Sequence, residues 1–221
     1  MGVVRAILAW MSICVSAYAY WPYDAVCEIV GKESTTRDGK QYMDQGTGVL
    51  IGKASDRVEL VVSAAHVVRD ARPDSVTCTF YATGKTYPAR IIHSDSVGDM
   101  VALVVPATGI RPASGVVVAK KGDALIKVGY PLNQHKMVVS RGKMTATASF
   151  GKGRVAMVVS GVVEEGASGG PMFDSEGYVA GTITGTFDMN DDQRYDSTIG
   201  PSGSTFVKFV NQAMAKAKGI K

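Results

Sequence analysis

Valine constrains the fold of this sequence more than any other residue does. The 221 residues include 30 valines and only 6 leucines. The branched Cβ of valine restricts its side chain and suits a pleated strand, whereas leucine is a residue that helices prefer. We therefore predict that the chain is mostly β.

Other features of the composition exclude several classes of protein. Hydrophobic residues make up 46% of the chain and the net charge is only +4, which excludes a disordered chain for most of its length. The 25 glycines show no three-residue period and no heptads are present, so collagen-like and coiled-coil chains are excluded. No cluster of Lys and Arg and no basic and aromatic stripe suggests nucleic acid, so no nucleic-acid partner is predicted.

Residues 1–19 have the three-part pattern of a secretory signal peptide. Arg5 provides the positive start, residues 6–17 carry no charge, and Ala17-Tyr18-Ala19 is a small-x-small cleavage site. The apolar run is shorter than the ~20 residues of a membrane span. We predict cleavage after this site, a mature protein of residues 20–221 with no stable membrane insertion, and a secreted or periplasmic location. An uncleaved signal anchor and a buried first helix are the alternatives.

Short apolar runs alternate with turn residues along the rest of the chain. This pattern predicts an all-β sandwich or barrel. The strands predicted in the first half are 25–30, 48–51, 59–63, 75–81, 86–93 and 100–105. Those predicted in the second half are 116–119, 124–130, 136–141, 143–149, 155–159, 171–173, 178–187 and 197–200.

Residues 106–112 contain two prolines and a glycine, which is typical of a linker. This linker divides the mature chain into halves of about 20–108 and about 112–200. A C-terminal α-helix is predicted at about 203–218, because Ser202 or Ser204 can cap its start and Gly219 follows its last turn.

Residues 166–171, Gly-Ala-Ser-Gly-Gly-Pro, contain the strongest candidate nucleophile. A serine between glycines can expose its hydroxyl on a sharp turn, and the glycines let backbone N–H groups converge beside it. An acyl-transfer oxyanion hole needs such N–H groups. A flexible Gly/Ser loop is the alternative interpretation.

The order of the residues along the chain limits the kind of serine enzyme. An α/β-hydrolase, which shares the G-x-S-x-G pattern, needs a histidine after the serine. His66, His93 and His135 all precede Ser168. The subtilisin order of acid, histidine and serine belongs to an α/β fold, so the order histidine, acid, serine remains.

His66 and Asp99 are the favoured base and acid. His66 follows an apolar run in Ser-Ala-Ala-His, where small alanines leave its ring accessible. His93 is interpreted as a polar residue at the edge of a strand and His135 as a turn residue. Asp99 opens the apolar run 99–105, so its carboxylate needs a partner and can orient a histidine. Asp95, in a looser polar turn, is the alternative acid.

Together these motifs resemble those of the trypsin-like (chymotrypsin-fold) serine peptidases. The matching stretches are Gly46-Thr-Gly-Val-Leu-Ile51, Ser63-Ala-Ala-His66, Asp99-Met-Val-Ala-Leu103 and Gly166-Ala-Ser-Gly-Gly-Pro171. Their short spacings, with Val128-Gly-Tyr-Pro-Leu132 and residues 177–183, resemble the bacterial Deg/HtrA branch most. The resemblance implies an all-β fold of two six-stranded antiparallel β-barrels, with the active site between them.

The resemblance also implies a serine endopeptidase that acts on protein or peptide substrates. Ser168 would attack the peptide carbonyl, His66 would carry the proton, and Asp99 would orient His66. The backbone N–H groups of Gly166 and Ser168 would form the oxyanion hole. No metal and no organic cofactor is expected.

The sequence departs from the family in places. Ala167 replaces the aspartate that pairs with a new N-terminus in digestive relatives, so zymogen activation is not expected. About 50 residues follow Ser168, so no PDZ domain of the Deg/HtrA type is expected, and oligomerisation is not carried over from that branch.

Four residues are the predicted walls of the specificity pocket, namely Val162, Thr182, Ile183 and Thr184. An apolar Val162 argues against cleavage after Arg or Lys and favours a small or medium apolar residue before the scissile bond. Glu164 and Glu165 could instead rim the site and favour positive substrates, or be solvated loop charges.

Two cysteines remain in the mature chain once Cys14 leaves with the signal. Cys27 and Cys78 fall in the first and fourth strands, which are neighbours in this fold, and the resemblance therefore implies a disulfide between them. A non-catalytic binding protein on the same fold, and a narrow-specificity processing protease of viral or phage type, are the alternative functions.

Overall fold

Strands dominate the regular structure of the computed structural model, as the valine content predicts. The structure describes residues 22–37, 40–132, 136–151, 153–188 and 196–220. The strands of its first half are β1 (Val26–Arg37), β2 (Lys40–Lys53), β3 (Val58–Ala64), β4 (Thr77–Phe80), β5 (Thr86–Pro88), β6 (Arg90–Asp95) and β7 (Met100–Pro106). Those of its second half are β8 (Ala124–Gly129), β9 (Val138–Ser149), β10 (Val155–Ser160), β11 (Pro171–Phe173), β12 (Val179–Thr182), β13 (Gly185–Phe187) and β14 (Ser197–Pro201).

Each half forms one curled antiparallel sheet. The strand orders are β5-β4-β1-β2-β3-β7-β6 and β12-β11-β8-β9-β10-β14-β13. The two edge strands of the first sheet are consecutive and separated only by Ala89, and those of the second are separated by Ile183 and Thr184. One passage of the chain therefore borders both ends of each sheet and curls it toward a barrel.

This connection explains the number of strands. Six passages of the chain build each half, as the resemblance implies, but a short break divides one passage in each half and raises the count to seven segments. The two-barrel, all-β prediction is therefore confirmed.

Several predicted strands differ from the structure, and two of them, 86–93 and 178–187, are each divided by a short break. Residues 116–119 form no strand, and Val116 makes only an isolated parallel bridge to Val179. The predicted strands 136–141 and 143–149 are one continuous strand, β9. Gly142 lies within this strand, and a Cβ at this position would overlap the carbonyl oxygen of Ser160, so glycine lets β9 pass close to the end of β10.

The predicted linker 106–112 lies between the strands of the two sheets. Pro106 ends β7, and residues 107–112 belong to no strand. The buried carboxylate of Glu59 on β3 accepts hydrogen bonds from the N–H (3.0 Å) and the hydroxyl (2.6 Å) of Thr108. The segment is therefore held against the first barrel at its start.

The C-terminal helix α1 (Gly203–Lys218) lies where it was predicted. Ser202 is the N-cap, but its hydroxyl contacts Thr205 Oγ1 (2.9 Å) rather than a backbone amide. The buried face of the helix, which includes Phe206 and Phe209, packs against the first barrel. In the described part of the chain, no helix is both long and apolar enough to cross a membrane.

The two remaining cysteines lie on neighbouring strands, as expected. In the β1–β4 register, Cys27 lies opposite Phe80 and Cys78 lies opposite Ile29. Both cysteines are fully buried and are free thiols in this structure. Burial raises the pKa of the Cys27 thiol, and its contact with Cys78 raises it further. The disulfide itself stays a prediction.

Candidate active site

The ends of two neighbouring strands bring His66 and Asp99 together. His66 lies in a short 3-10 turn, Ala65–Val68, directly after β3, and Asp99 directly precedes β7. The two strands are antiparallel, with Ala64 opposite Met100. Asp99 Oδ2 lies 2.7 Å from His66 Nδ1, and Oδ1 accepts the backbone N–H of His66 at 3.0 Å. One carboxylate thus fixes both the ring and the backbone of the histidine.

Asp99 has an unusual backbone and a shifted pKa. Its φ of +54° is the only positive value at a non-glycine position in the described residues. Burial alone raises the pKa of its carboxyl, but the hydrogen bond and charge of His66 outweigh that effect and lower it overall, with a smaller contribution from Arg154. The carboxylate is therefore kept ionised beside the imidazole.

The loop between β10 and β11 carries Ser168 to the first barrel. The Ser168 carbonyl accepts the N–H of Thr47 at 2.8 Å, and the next N–H, of Gly169, donates to Ile183 O at 2.7 Å. A Cβ at Gly169 would overlap Ser63 Oγ and lie 2.8 Å from Ala64 N, two residues before His66. The glycine after the serine therefore allows the two barrels to touch beside the histidine.

The Ser168 hydroxyl is accessible beside the histidine segment. Ser168 is half-buried, and its Oγ makes no hydrogen bond to any residue that the structure describes. Contacts between a nucleophile and its base are often looser before substrate binds. The structure thus pairs His66 with Asp99 and packs the Ser168 turn against the segment that leads to them.

Thr47 links three segments of the site. Its fully buried hydroxyl donates to the Gly166 carbonyl (2.9 Å) and accepts the Tyr130 N–H (2.8 Å). One side chain of β2 therefore holds both the end of β8 and the loop that carries Ser168. The sequence motif at 46–51 indicated this strand, but not these contacts.

The loop offers two unused backbone N–H groups near the serine. Among the described residues, the N–H groups of Gly166 and Ser168 have no acceptor, whereas the Ala167 N–H donates to Glu164 O at 3.2 Å. Gly166 has a φ of +90°, and a Cβ there would overlap Tyr130 O. Glycine is thus required to keep this turn against β8.

The four predicted pocket residues fall into two groups. Val162 is 46% exposed, whereas Thr182, Ile183 and Thr184 are buried. A cavity of about 210 Å³ lies beside Val162 and Ala167, and its other walls come from β8, β9 and the loop. The residues 182–184 do not line that cavity. Their role in specificity stays a prediction.

The alternative histidine and acid have other partners. The His93 ring stacks on Phe209 of α1 with centroids 4.9 Å apart, and Lys216 Nζ lies 2.9 Å from His93 Nδ1. Asp95 Oδ1 accepts the N–H groups of Val97 and Gly98 in a turn. His135 lies outside the described residues. Within the ranges that the structure describes, no group of three or more His, Cys, Asp and Glu residues could hold a metal.

Lys127 is a candidate supporting residue of the site that no sequence motif indicates. It lies on β8 with only 1% of its surface exposed. Its Nζ donates to the carbonyls of Ser160 (2.8 Å) and Gly161 and lies 3.3 Å from Thr198 Oγ1. Burial lowers the pKa of this ammonium to about 8. The ammonium holds the point at which β10 enters the Ser168 loop. A lysine within the apolar run 124–130 was the available signal.

Lys127→Met should change how stability depends on alkaline pH. Lys127 titrates at about pH 8 in the folded state and at about 10.4 when unfolded. Between these values the unfolded chain binds more protons, so Lys127 adds up to about 3 kcal/mol of stability as the pH rises, and the variant lacks this gain. Urea unfolding near pH 7 and near pH 10 measures it. Lys120→Met, an exposed control, should follow wild type; equal pH dependence in Lys127→Met would contradict the assignment.

Comparison with known proteins identifies the family. A sequence model described as the trypsin-like peptidase domain matches residues 46–181, more than half of the chain. The chain therefore belongs to the trypsin-like serine peptidase family, and the resemblance seen in its motifs is confirmed.

Curated proteases match most of the chain. Serine endoprotease DegS of Escherichia coli (strain K12) is 27% identical over 177 residues, covering 77% of this chain and 48% of that protein. Serine protease Do-like HtrA of Lactobacillus helveticus is 27% identical over 158 residues, covering 67% and 37%. Magnetosome formation protease MamE of Paramagnetospirillum magneticum is 33% identical over 162 residues, covering 66% and 20%. The chain thus spans about half or less of the length of these relatives.

Solved structures share the fold. The serine endoprotease from Yersinia pestis has a TM-score of 0.70 at 19% identity, covering 88% of this chain and 64% of that chain. The active form of the Rv3671c protease from M. tuberculosis has a TM-score of 0.69 at 22% identity, covering 90% and 83%. Both support the chymotrypsin-like, two-barrel architecture.

Proposed function

We propose that the chain is an exported serine endopeptidase that hydrolyses peptide bonds through His66, Asp99 and Ser168. The observation that carries the proposal is the 2.7 Å contact of Asp99 with His66, beside a serine turn with two unused N–H groups. Family membership adds that such a site belongs to a peptidase. Protein or peptide substrates follow from the reaction.

The chemistry follows from the positions of the three side chains. Ser168 Oγ attacks the peptide carbonyl carbon while His66 Nε2 takes its proton, and Asp99 stabilises the imidazolium through Nδ1–H. The N–H groups of Gly166 and Ser168 bind the negative oxygen that forms. The C–N bond then breaks, His66 returns the proton to the leaving amine, and an acyl-enzyme on Ser168 remains. Water, activated by His66, hydrolyses this ester and frees the enzyme.

A fluorophosphonate probe tests this proposal, because it reacts with a serine hydroxyl that its neighbours activate. Wild type should label at one site, Ser168→Ala should not label, and His66→Ala should label far more slowly. Ser114→Ala, which removes an exposed serine bonded to the Glu176 carbonyl, should label as wild type does. Folded wild type that fails to label, or Ser168→Ala that still labels, would refute the mechanism.

Export would place Cys27 and Cys78 in an oxidising compartment, where we expect them to form a disulfide. The bond would close a loop of about 50 residues and stabilise the first barrel by about 4 kcal/mol in the chain-entropy model. Mass spectrometry of the exported protein, alkylated in denaturant without reductant, should find neither cysteine modified. The same spectra should show Tyr20 as the first residue of the exported protein, because we predict cleavage after Ala19. Two alkylated thiols would contradict the disulfide.

A further inference from the structure

The turn between β9 and β10 places a cation beside the active site that the proposed mechanism does not use. Arg154 Nη2 donates to Thr184 Oγ1 at 2.9 Å. Thr184 follows Ile183, whose carbonyl accepts the N–H of Gly169 at 2.7 Å. The charge of Arg154 also acts on Asp99. This guanidinium is therefore tied to the segment next to Ser168.

The guanidinium lies against one aromatic ring, which is itself packed on a second. Its central carbon lies 5.8 Å from the centre of the Phe150 ring, and Phe150 meets Phe187 edge to face at 5.1 Å. All three side chains are half-buried. An arginine on an aromatic surface loses little further freedom when it binds a ligand.

The guanidinium has unused capacity for an anion. It carries five N–H donors, and in the described ranges only the bond to Thr184 uses its side chain, with no carboxylate in ion-pair contact. Arginine stays charged at all relevant pH values and binds a carboxylate through two parallel hydrogen bonds. A carboxylate is therefore the chemical group that this position fits.

The neighbouring strand offers a route for a peptide. Among the described strands, β13 is the last of its sheet and pairs with β14 alone. An extended peptide can add to such an open edge through its backbone. Phe187 lies four residues beyond Ile183, which corresponds to about 13 Å of extended chain. A substrate along β13 therefore presents its second to fourth residues from the scissile bond to this cluster.

We propose that Arg154, with Phe150 and Phe187, forms a substrate subsite that binds an aspartate or glutamate side chain. The carboxylate lies two to four residues from the scissile bond, on the flank that runs along β13. This inference rests on the proposed peptidase function and names a class of substrate for it.

Paired peptides test the subsite. Fluorogenic peptides with glutamate, glutamine or lysine at each of the four positions on either side of the cleaved bond are compared by kcat/KM. At one position on one flank, wild type should prefer glutamate to glutamine by about tenfold, as a charge-assisted hydrogen bond predicts. High salt should reduce the preference. In Arg154→Gln the ratio should fall to about one, and Arg154→Lys should keep part of it.

Arg57→Gln is the matched control, because Arg57 is an exposed arginine at the far end of β3 from His66. It should keep both the activity and the glutamate preference of wild type. Wild type that labels with fluorophosphonate but shows no glutamate preference would overturn the subsite alone. A glutamate preference that survives in Arg154→Gln, or a wild-type preference for lysine, would also overturn the subsite alone. Wild type that fails to label would overturn both proposals.

Discussion

Asp99→Asn should lower kcat for peptide hydrolysis by about 10⁴-fold. Asp99 Oδ2 accepts the bond of His66 Nδ1, and Oδ1 accepts the backbone N–H of His66. An asparagine that keeps the second contact through its oxygen turns its NH₂ group toward Nδ1. The imidazole then carries its proton on Nε2 and cannot accept the proton of Ser168.

Asparagine is the informative substitution because it separates catalysis from folding. Asp99 has a φ of +54°, a conformation that asparagine adopts more readily than most residues. Stability at neutral pH should fall by much less than the activity does. Because the pKa of Asp99 is lowered in the folded state, its contribution to stability is present above the unfolded pKa. Wild type loses it as the pH falls through the folded pKa, whereas Asp99→Asn does not.

Asp95→Asn is the matched control for this prediction. Asp95 is the other acid in the same turn, and its Oδ1 accepts the N–H groups of Val97 (2.9 Å) and Gly98 (3.1 Å). The substitution should reduce stability slightly and leave kcat unchanged. Steady-state kinetics and urea unfolding of both variants measure this difference. A large fall in kcat for Asp95→Asn, or only a small fall for Asp99→Asn, would show that Asp99 is not the acid that orients His66.

Much of the fold could be predicted because local pattern and barrel topology agree. Short apolar runs between turn residues located most strands, and prolines and a glycine marked the predicted linker between the halves. The division of the predicted strand 86–93 at Ala89 could not be predicted, since it depends on which strands the two parts reach: β4 on one side and β7 on the other. The missing strand at 116–119 also depends on tertiary pairing. Gly115 and Val117 bond to Val179 of the edge strand β12, but in the described residues this pairing extends no further, so no strand forms.

The triad candidates were predictable because each has a short motif of its own. The supporting contacts were not, since they join residues far apart in sequence. Thr47 and Gly166 are 119 residues apart, and Lys127 and Thr198 are 71 apart. Periodicity along one strand carries no information on such pairs. Arg154 had no signal, because a single arginine in a Gly-Lys-Gly turn is typical of a solvated loop.

Gly169→Ala should abolish fluorophosphonate labelling and destabilise the protein by about 4 kcal/mol, the sum of left-handed strain and overpacking. Gly169 has a φ of +81°. A Cβ there would overlap Ser63 Oγ and the Thr47 carbonyl, which are themselves joined by a hydrogen bond of 2.7 Å. The Thr47 oxygen is backbone of β2 and cannot rotate away. The Ser168 turn must therefore retreat from the first barrel, which separates the nucleophile from His66.

Gly84→Ala separates the crowding from the backbone strain. Gly84 has a comparable φ of +63°, but apart from Gly84 and its two chain neighbours no described atom lies within 4 Å of the position of its Cβ. This variant should lose only about 1 kcal/mol, from the left-handed conformation alone, and should label at the wild-type rate. Ser63→Gly combined with Gly169→Ala should recover only part of the loss, because the Thr47 carbonyl still blocks the methyl group. Equal destabilisation in Gly84→Ala and Gly169→Ala would contradict the prediction, because it would show that the contact of Gly169 with Ser63 and Thr47 adds nothing to the backbone strain.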